Sequence, residues 1–273
     1  MPWPTPLVGV GDLARRLDDL TLRVVDVRWY LGDPGRGRAE YEAGHVPGAA
    51  FLDLDVDLSD HSVEDAGRHP LPGRDAFAAT LGGVGIGNEH HVVAYDASGG
   101  SVAARLWWML RWLGHERVSV LDGGWPAWID QGHPVAVAGS PHPPSHFVAG
   151  APLTRVVDRI AVASRSGVLL DARAPERWRG DVEPVDPVAG HIPGSVNVPS
   201  TALLDAAHRF LAPGALRSLL VEAGTGPGTI ASCGSGVTAC ALVLAAVAAG
   251  LPEPALYPGS FSEWSTAGLP TEP

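Results

Sequence analysis

Cysteine is scarce in this chain: 273 residues hold two, Cys233 and Cys240. Two cysteines seven positions apart make neither a disulfide framework nor a zinc site, and they suit a reducing compartment. Excess positive charge is missing too. The chain has 19 Lys and Arg against 30 Asp and Glu, a formal charge of −11 at pH 7, which argues against nucleic acid or an anionic membrane as partner. No apolar run approaches the ~18 residues of a membrane span. The start, Met1-Pro-Trp-Pro-Thr-Pro-Leu7, lacks the basic stretch and apolar core of a secretory signal. The 11 histidines include no His-Glu-x-x-His pair. The expectation is therefore a globular protein of the cytoplasm with no metal or other cofactor, no nucleic acid and no membrane among its partners. If it binds an anion, it must gather arginine locally.

What is present is an alternation of strand-length and helix-length apolar segments. Residues 22–27, 92–96 and 119–121 predict buried strands, and 12–17, 74–81, 102–113 and 125–130 predict helices. A stretch without period follows at 134–152, where Pro134, Pro141, Pro143, Pro144 and Pro152 predict an extended, semi-rigid linker. Beyond it the order restarts, with helices at 155–164, 215–223 and 238–249 and strands at 168–171 and 229–232. Two motifs also return. Gly44-His45-Val46-Pro47-Gly48-Ala49 is echoed by Gly190-His191-Ile192-Pro193-Gly194-Ser195, and Asp122-Gly-Gly-Trp-Pro-Ala-Trp128 by Pro258-Gly-Ser-Phe-Ser-Glu-Trp264. The chain reads as two copies of one α/β unit, at 1–133 and 153–273, joined by the linker. Strands alternating with helices imply, in each copy, a mostly parallel sheet flanked by helices, with any site at the carboxyl ends of the strands.

One such end carries chemistry. Strand 229–232 runs into Cys233-Gly234-Ser235-Gly236-Val237-Thr238, and an Ala/Leu/Val helix begins there and stops at Gly250. Small residues let the backbone curl around the sulfur, and loop N–H groups with those of the helix start favour a thiolate. Cys240, inside the apolar helix, reads as a small hydrophobe. Laid over the first copy, Cys233 falls on Asp96. A carboxylate there can accept the loop N–H groups but carries no transferable sulfur, so the first copy is expected to be inactive. Blander readings apply elsewhere. His45 and His191 read as structural hydrogen bonders in their turns, and the tryptophans of the 102–113 helix as core filling. Gly83-Val-Gly85-Ile-Gly87 reads as a helix end rather than a nucleotide loop, because it follows a helix and not a strand.

Tandem units, paired Gly-His-x-Pro-Gly turns and a single Cys-Gly-Ser-Gly-Val-Thr loop resemble the two-domain rhodanese superfamily, from about residue 7 to residue 269. Within it the loop is similar to that of 3-mercaptopyruvate sulfurtransferases; thiosulfate enzymes typically carry arginine and lysine after the cysteine. The resemblance implies a Cys233 persulfide formed from a small anionic sulfur donor and emptied by a thiol, a thioredoxin-type protein or cyanide. It implies Ser235, Asp55 and His69 as catalytic partners. Arg177 is implied for the donor's carboxylate, with Arg179 beside it, and Gly234, Gly236, Val237 and Thr238 form the donor-binding loop. It also implies a second arginine shortly before the Gly190 turn, where segment 181–186 carries valine and aspartate instead. Three alternatives stand beside this reading: a thiosulfate sulfurtransferase, a non-enzymatic sulfur carrier or binding module on the same fold, and a cysteine phosphatase. The last needs arginine six positions after the cysteine, and that position is Ala239.

Overall fold

The structure is a computed structural model that describes residues 5–137 and 142–273. Residues 1–4, and residues 138–141 of the expected linker, lie outside the described residues.

Two compact units form. One holds the residues up to Ser59 with Pro72–Leu153 and Ala206–Arg209; the other holds Asp60–Leu71, Thr154–Asp205 and Phe210–Pro273. The units are thus not contiguous in sequence, since a twelve-residue span from the first half of the chain folds with the second.

In the first unit the elements run β1 (Leu7–Val8), α1 (Val10–Ala14), β2 (Leu22–Asp26), α2 (Arg36–Ala43), β3 (Ala50–Phe51), α3 (Arg74–Gly83), β4 (His91–Tyr95), α4 (Ser101–Trp112), β5 (Val118–Leu121) and α5 (Gly124–Asp130). The sheet has order β1-β5-β4-β2-β3, and every pairing is parallel. All five residues of β4 are buried, as in parallel strands covered on both faces. The core is built on Val24, Val93, Tyr95, Leu121 and Trp128. Trp107 and Trp108 of α4 are buried as filling. At the glycine-rich segment α3 ends at Gly83, and Gly85 takes φ +80°, which is the helix end and turn that the pattern implied.

The second unit runs α6 (Arg159–Ala163), β6 (Leu169–Asp171), α7 (Pro175–Trp178), β7 (Ser195–Asn197), a 3-10 turn (Ser200–Leu203), α8 (Pro213–Glu222), β8 (Ile230–Ser232), α9 (Ala239–Ala248), β9 (Ala255–Leu256) and α10 (Ser260–Thr266). Its order is β7-β6-β8-β9, again all parallel. The core gathers Leu169, Ile192, Ile230, Tyr257, Phe261 and Trp264. One helix is shorter than expected. Residues 155–157 are extended because their backbone pairs with β9: Leu256 N–H donates to Arg155 O and Val157 N–H to Leu256 O, both at 2.9 Å. The helix starts only at Arg159, where the Asp158 carboxylate accepts the Ala161 N–H at 2.8 Å and caps it. A sheet edge offered these residues better partners than a first helical turn, and no local pattern reports that edge.

The repeat is faithful in detail. Arg28 forks onto Asp26 and donates to Gly44 O at 2.7 Å; Arg173 forks onto Asp171 and donates to Gly190 O at 2.8 Å. The turn histidines are structural in both copies. His45 bonds Tyr41 O at 2.7 Å and stacks on the Tyr41 ring, and His191 bonds Trp178 O at 2.8 Å and stacks on the Trp178 ring. Among the described residues no helix is long and apolar enough to cross a membrane.

Candidate active site

Between β8 and α9 the backbone turns around the sulfur of Cys233. The Gly236 N–H donates to Sγ at 3.1 Å. Gly236 has φ +75°, and a β-carbon there would strike the Pro258 backbone, so glycine is what lets the loop close under the sulfur. Cys240, at the head of α9, donates its S–H to Gly236 O at 3.4 Å and so holds the loop from behind. The start of α10 holds the other side. Ser260 Oγ accepts the Cys233 N–H at 3.0 Å, while Phe261 N–H and Ser262 N–H donate to Cys233 O and Gly234 O at 3.0 and 2.8 Å. Ser260 has φ +51°, a left-handed conformation that costs a residue with a β-carbon roughly 1–2 kcal/mol. Its repeat equivalent is Gly124, with φ +53°.

In the first unit the same loop is closed on a carboxylate. Asp96 Oδ1 accepts the N–H groups of Ser98 and Gly100 at 2.8 and 2.9 Å, and Oδ2 those of Val102 and Ala103 at 2.8 and 2.9 Å. Asp96 therefore satisfies its loop from within and offers no nucleophilic sulfur.

Around Cys233 the second unit assembles residues from distant parts of the chain. Ser235 Oγ lies 2.7 Å from His69 Nδ1, and both side chains are buried. His69 arrives on the span 60–71. Gly67 in that span has φ +82°, and a β-carbon on it would come within 2.6 Å of Gly259 O, so the span can lie against α10 only with glycine there. The Arg68 N–H then donates to Ser262 Oγ at 3.0 Å.

Three arginines and three carboxylates surround the loop. Arg173 is committed to Asp171. Arg177 Nη2 donates to Glu183 at 2.7 Å and to Asp186 at 3.0 Å, and Arg68 Nη1 pairs with the other oxygen of Asp186. A β-carbon at Gly234 would lie 2.9 Å from Arg68 Nη2 and 3.6 Å from Arg177 Nη1, so both guanidinium groups face the space over the residue after the cysteine. Burial raises the Asp186 carboxyl above the usual range; Arg68 and Arg177 oppose that shift without cancelling it, and Glu183 adds to it. For Glu183 burial acts upward as well, but the Arg177 hydrogen bond and the N–H groups of Asp186 and Val185 bring it below the ordinary value.

Of the residues anticipated from sequence, Cys233, Gly234, Ser235, Gly236, His69 and Arg177 come together. Val237 is buried within the loop, and Thr238 leads into α9. Arg179 is not gathered with them: it is exposed and pairs with Asp181 at 2.9 Å. Asp55 belongs to the first unit, where its carboxylate accepts the Trp29 indole N–H at 2.7 Å. Sequence reasoning missed Arg68, Glu183, Asp186 and Ser260. The repeat held a signal for Ser260, a serine standing where the first copy has glycine. Arg68 was marked only by its adjacency to His69. Among the described residues no cluster of His, Cys, Asp and Glu is arranged to hold a metal ion.

Comparison with known proteins agrees with the repeat. The family model described as "Rhodanese-like domain" matches twice, over residues 10–131 and 156–267. SseB of Mycobacterium tuberculosis, provisionally named a thiosulfate sulfurtransferase, is 44% identical over 261 residues, covering 92% of this chain and 89% of that protein. The human 3-mercaptopyruvate sulfurtransferase is 39% identical over 262 residues, covering 92% and 87%. The crystal structure of SseA from Escherichia coli, a 3-mercaptopyruvate sulfotransferase, superposes with TM-score 0.83 at 33% identity, covering 94% of this chain and 99% of that one.

Proposed function

The chain belongs to the rhodanese family, with two copies of the domain in tandem, and on that premise we propose that it is a sulfurtransferase taking the thiol sulfur of 3-mercaptopyruvate onto Cys233 as a persulfide. The observation that carries this reading is the sulfur of Cys233 held at the end of β8, with the Gly236 N–H on it and Ser235 of the same loop 2.7 Å from His69.

In the first half-reaction the Cys233 thiolate attacks the donor sulfur. An S–S bond forms, the C–S bond breaks, and its electron pair leaves with the pyruvate enolate, which takes up a proton to become pyruvate. The 2.7 Å contact of Ser235 with His69 supports these two as the proton source, since a hydroxyl in reach of an imidazole can pass a proton on and be resupplied. In the second half-reaction an acceptor thiolate, from a small thiol or a thioredoxin-type protein, or cyanide attacks the outer sulfur and returns the Cys233 thiolate. Ping-pong kinetics follow. Arg177 is the proposed carboxylate contact and the loop Gly234–Thr238 the donor's seat. For Asp55 the reading rests on the resemblance alone, and Arg179 has no part in it. Both cysteines are free, which suits a cytoplasmic enzyme.

Thiosulfate is the second donor to weigh, favoured by the name of the M. tuberculosis relative. The test is kcat/KM for 3-mercaptopyruvate and thiosulfate side by side, with one acceptor and Cys233→Ser as the control. A preference for 3-mercaptopyruvate that vanishes in Cys233→Ser is the expected result. A preference for thiosulfate would overturn the donor, and turnover in Cys233→Ser would overturn the site.

A further inference from the structure

The copy that carries the cysteine has polar residues on α10 that the other copy lacks. Ser262 and Glu263 stand where the first unit has Pro126 and Ala127. Both line a cavity of about 490 Å³ in the second unit, together with Asp65, Arg68, Arg159 and Asp186 among others. We infer that this cavity is the seat of the sulfur acceptor, a small thiol carrying an ammonium group, and that Asp65 and Glu263 bind the ammonium. The inference rests on the sulfur-transfer reading above and names the acceptor class of that same site.

Three observations carry it. First, the cavity adjoins the loop that holds the sulfur. Ser262 in its wall donates its N–H to Gly234 O at 2.8 Å and accepts the Arg68 N–H on Oγ at 3.0 Å. Arg68 in the same wall faces Gly234, its Nη2 lying 2.9 Å from where a β-carbon would stand. The wall is thus in contact with the residue that follows Cys233.

Second, the charge in the cavity suits a cation. Its lining sets the carboxylates of Asp65, Asp186 and Glu263 against the guanidinium groups of Arg68 and Arg159. Arg68 is taken up by Asp186, which Arg177 also holds at 3.0 Å. Arg159 reaches Glu263 only at 3.5 Å, and its side chain is 42% exposed, so this is a loose pair in water. Asp65 has no hydrogen bond or ion pair among the described residues. A donor carboxylate entering here would meet Asp65 and Glu263 as like charges. An ammonium group finds one carboxylate without a partner and another weakly held.

Third, Glu263 stands where its charge is costly. Burial raises its carboxyl above the ordinary range; Tyr257 and Arg159 oppose that shift, and Asp158 and Asp65 add to it. A cation between Glu263 and Asp65 removes the repulsion between them. The counterpart residue in the first unit, Ala127, is a buried alanine in α5, so the turn and its helix form in this fold without an acid.

The reaction balances with such an acceptor. Its thiolate, having lost the proton to water, attacks the outer sulfur of the Cys233 persulfide. A new S–S bond forms to the acceptor, the S–S bond to Cys233 breaks, and the electron pair returns to Cys233 as the thiolate. The acceptor leaves as its own persulfide. Its ammonium group takes no part in the bond exchange and acts by binding, while its positive charge also favours the ionised form of the neighbouring thiol.

The experiment loads the full-length chain with 3-mercaptopyruvate, locates the persulfide by mass spectrometry, removes the donor and follows loss of the persulfide with cysteamine, 2-mercaptoethanol or mercaptoacetate. These thiols differ only in the group at the far end, and rate constants are expressed per thiolate. Wild type should favour cysteamine over 2-mercaptoethanol about 10-fold and react slowest with mercaptoacetate. Each ratio compares two acceptors on one preparation, so partial misfolding of a variant cancels. Asp65→Asn and Glu263→Gln should each cut the ratio about 2-fold or more, and the double variant should bring it near one. Asp65→Lys should reverse the order and favour mercaptoacetate over cysteamine. A wild-type ratio near one, or a ratio that survives in the double variant, would overturn the inference and leave sulfur transfer standing. Failure to load Cys233 would instead bring down the sulfur-transfer reading, and this inference with it.

Discussion

Ser235 Oγ and His69 Nδ1 are 2.7 Å apart, although 166 positions of chain separate them. The contact joins the loop that holds the sulfur to the span 60–71, and it puts an exchangeable proton on the same loop as Cys233.

That contact makes the two candidate donors respond differently. An enolate leaving group needs a proton, whereas sulfite leaves as a stable anion. Ser235→Ala and His69→Asn should each lower kcat with 3-mercaptopyruvate by about 10²-fold or more, and lower thiosulfate turnover much less. Parallel kcat measurements on both donors check this. Equal losses would mean that the pair holds the loop together and moves no proton.

The two cysteines should separate cleanly. Cys233→Ser should abolish sulfur transfer. Cys240→Ser keeps a donor near Gly236 O and should retain most activity, at a stability cost of about 1 kcal/mol. Donor addition first, then alkylation of the persulfide formed and mass spectrometry of the peptides, would assign the sulfur. Persulfide on Cys240 would contradict the assignment.

Ser260 holds the Cys233 N–H from a left-handed conformation. Ser260→Gly relieves backbone strain of roughly 1–2 kcal/mol and gives up two hydrogen bonds of about 1 kcal/mol each, one accepted from Cys233 N–H and one donated to Tyr257 O. Stability should therefore move little, while kcat falls several-fold as the nucleophile's backbone loosens. Urea unfolding and kcat measured on one preparation test the split. A variant as active as wild type would make Ser260 a mere relic of the turn.

The protein should lose stability in acid through His91. Burial, with Arg117 and His115 adding to it, brings this imidazole from its ordinary value of 6.5 down to about 3. The folded chain thus keeps His91 neutral where the unfolded chain protonates it. Its contribution is intact above pH 6.5 and is lost as pH falls toward 3, by up to about 1.4 kcal/mol per pH unit. Unfolding free energies between pH 7 and pH 4 should fall less steeply in His91→Gln than in wild type. Identical slopes would place the acid sensitivity elsewhere.

The cysteine loop was legible in advance because its chemistry is local. Six consecutive residues, bounded by an apolar strand and an apolar helix, set both the turn and the place of the cysteine in it. Laying one copy on the other was enough to anticipate Asp96 as an acceptor of loop N–H groups, and four such bonds are present. The extended run at 155–157 was not legible, since its partner is the edge strand β9, a hundred residues onward in the chain.

The arginines divide in the same way. Arg173 could be paired with Asp171 from sequence, because residues two apart at the end of a strand meet whatever the rest of the chain does. Arg177 was expected to be open to a donor; in the fold it holds Glu183 and Asp186. Which cations face Gly234 depends on how the span 60–71 lies on α10, and Gly67 permits that approach.

By itself, then, the sequence determined the two α/β copies, the cysteine loop and the aspartate-closed loop that matches it, because strand and helix periodicity and small-residue turns act over a few neighbours. Only the tertiary structure brought Arg68 over Gly234, engaged Arg177 with Glu183 and Asp186, and put His69 against Ser235. The approaches of Arg68 and His69 join segments more than a hundred residues apart, and they form only when burial and complementary charge can repay the ordering of both.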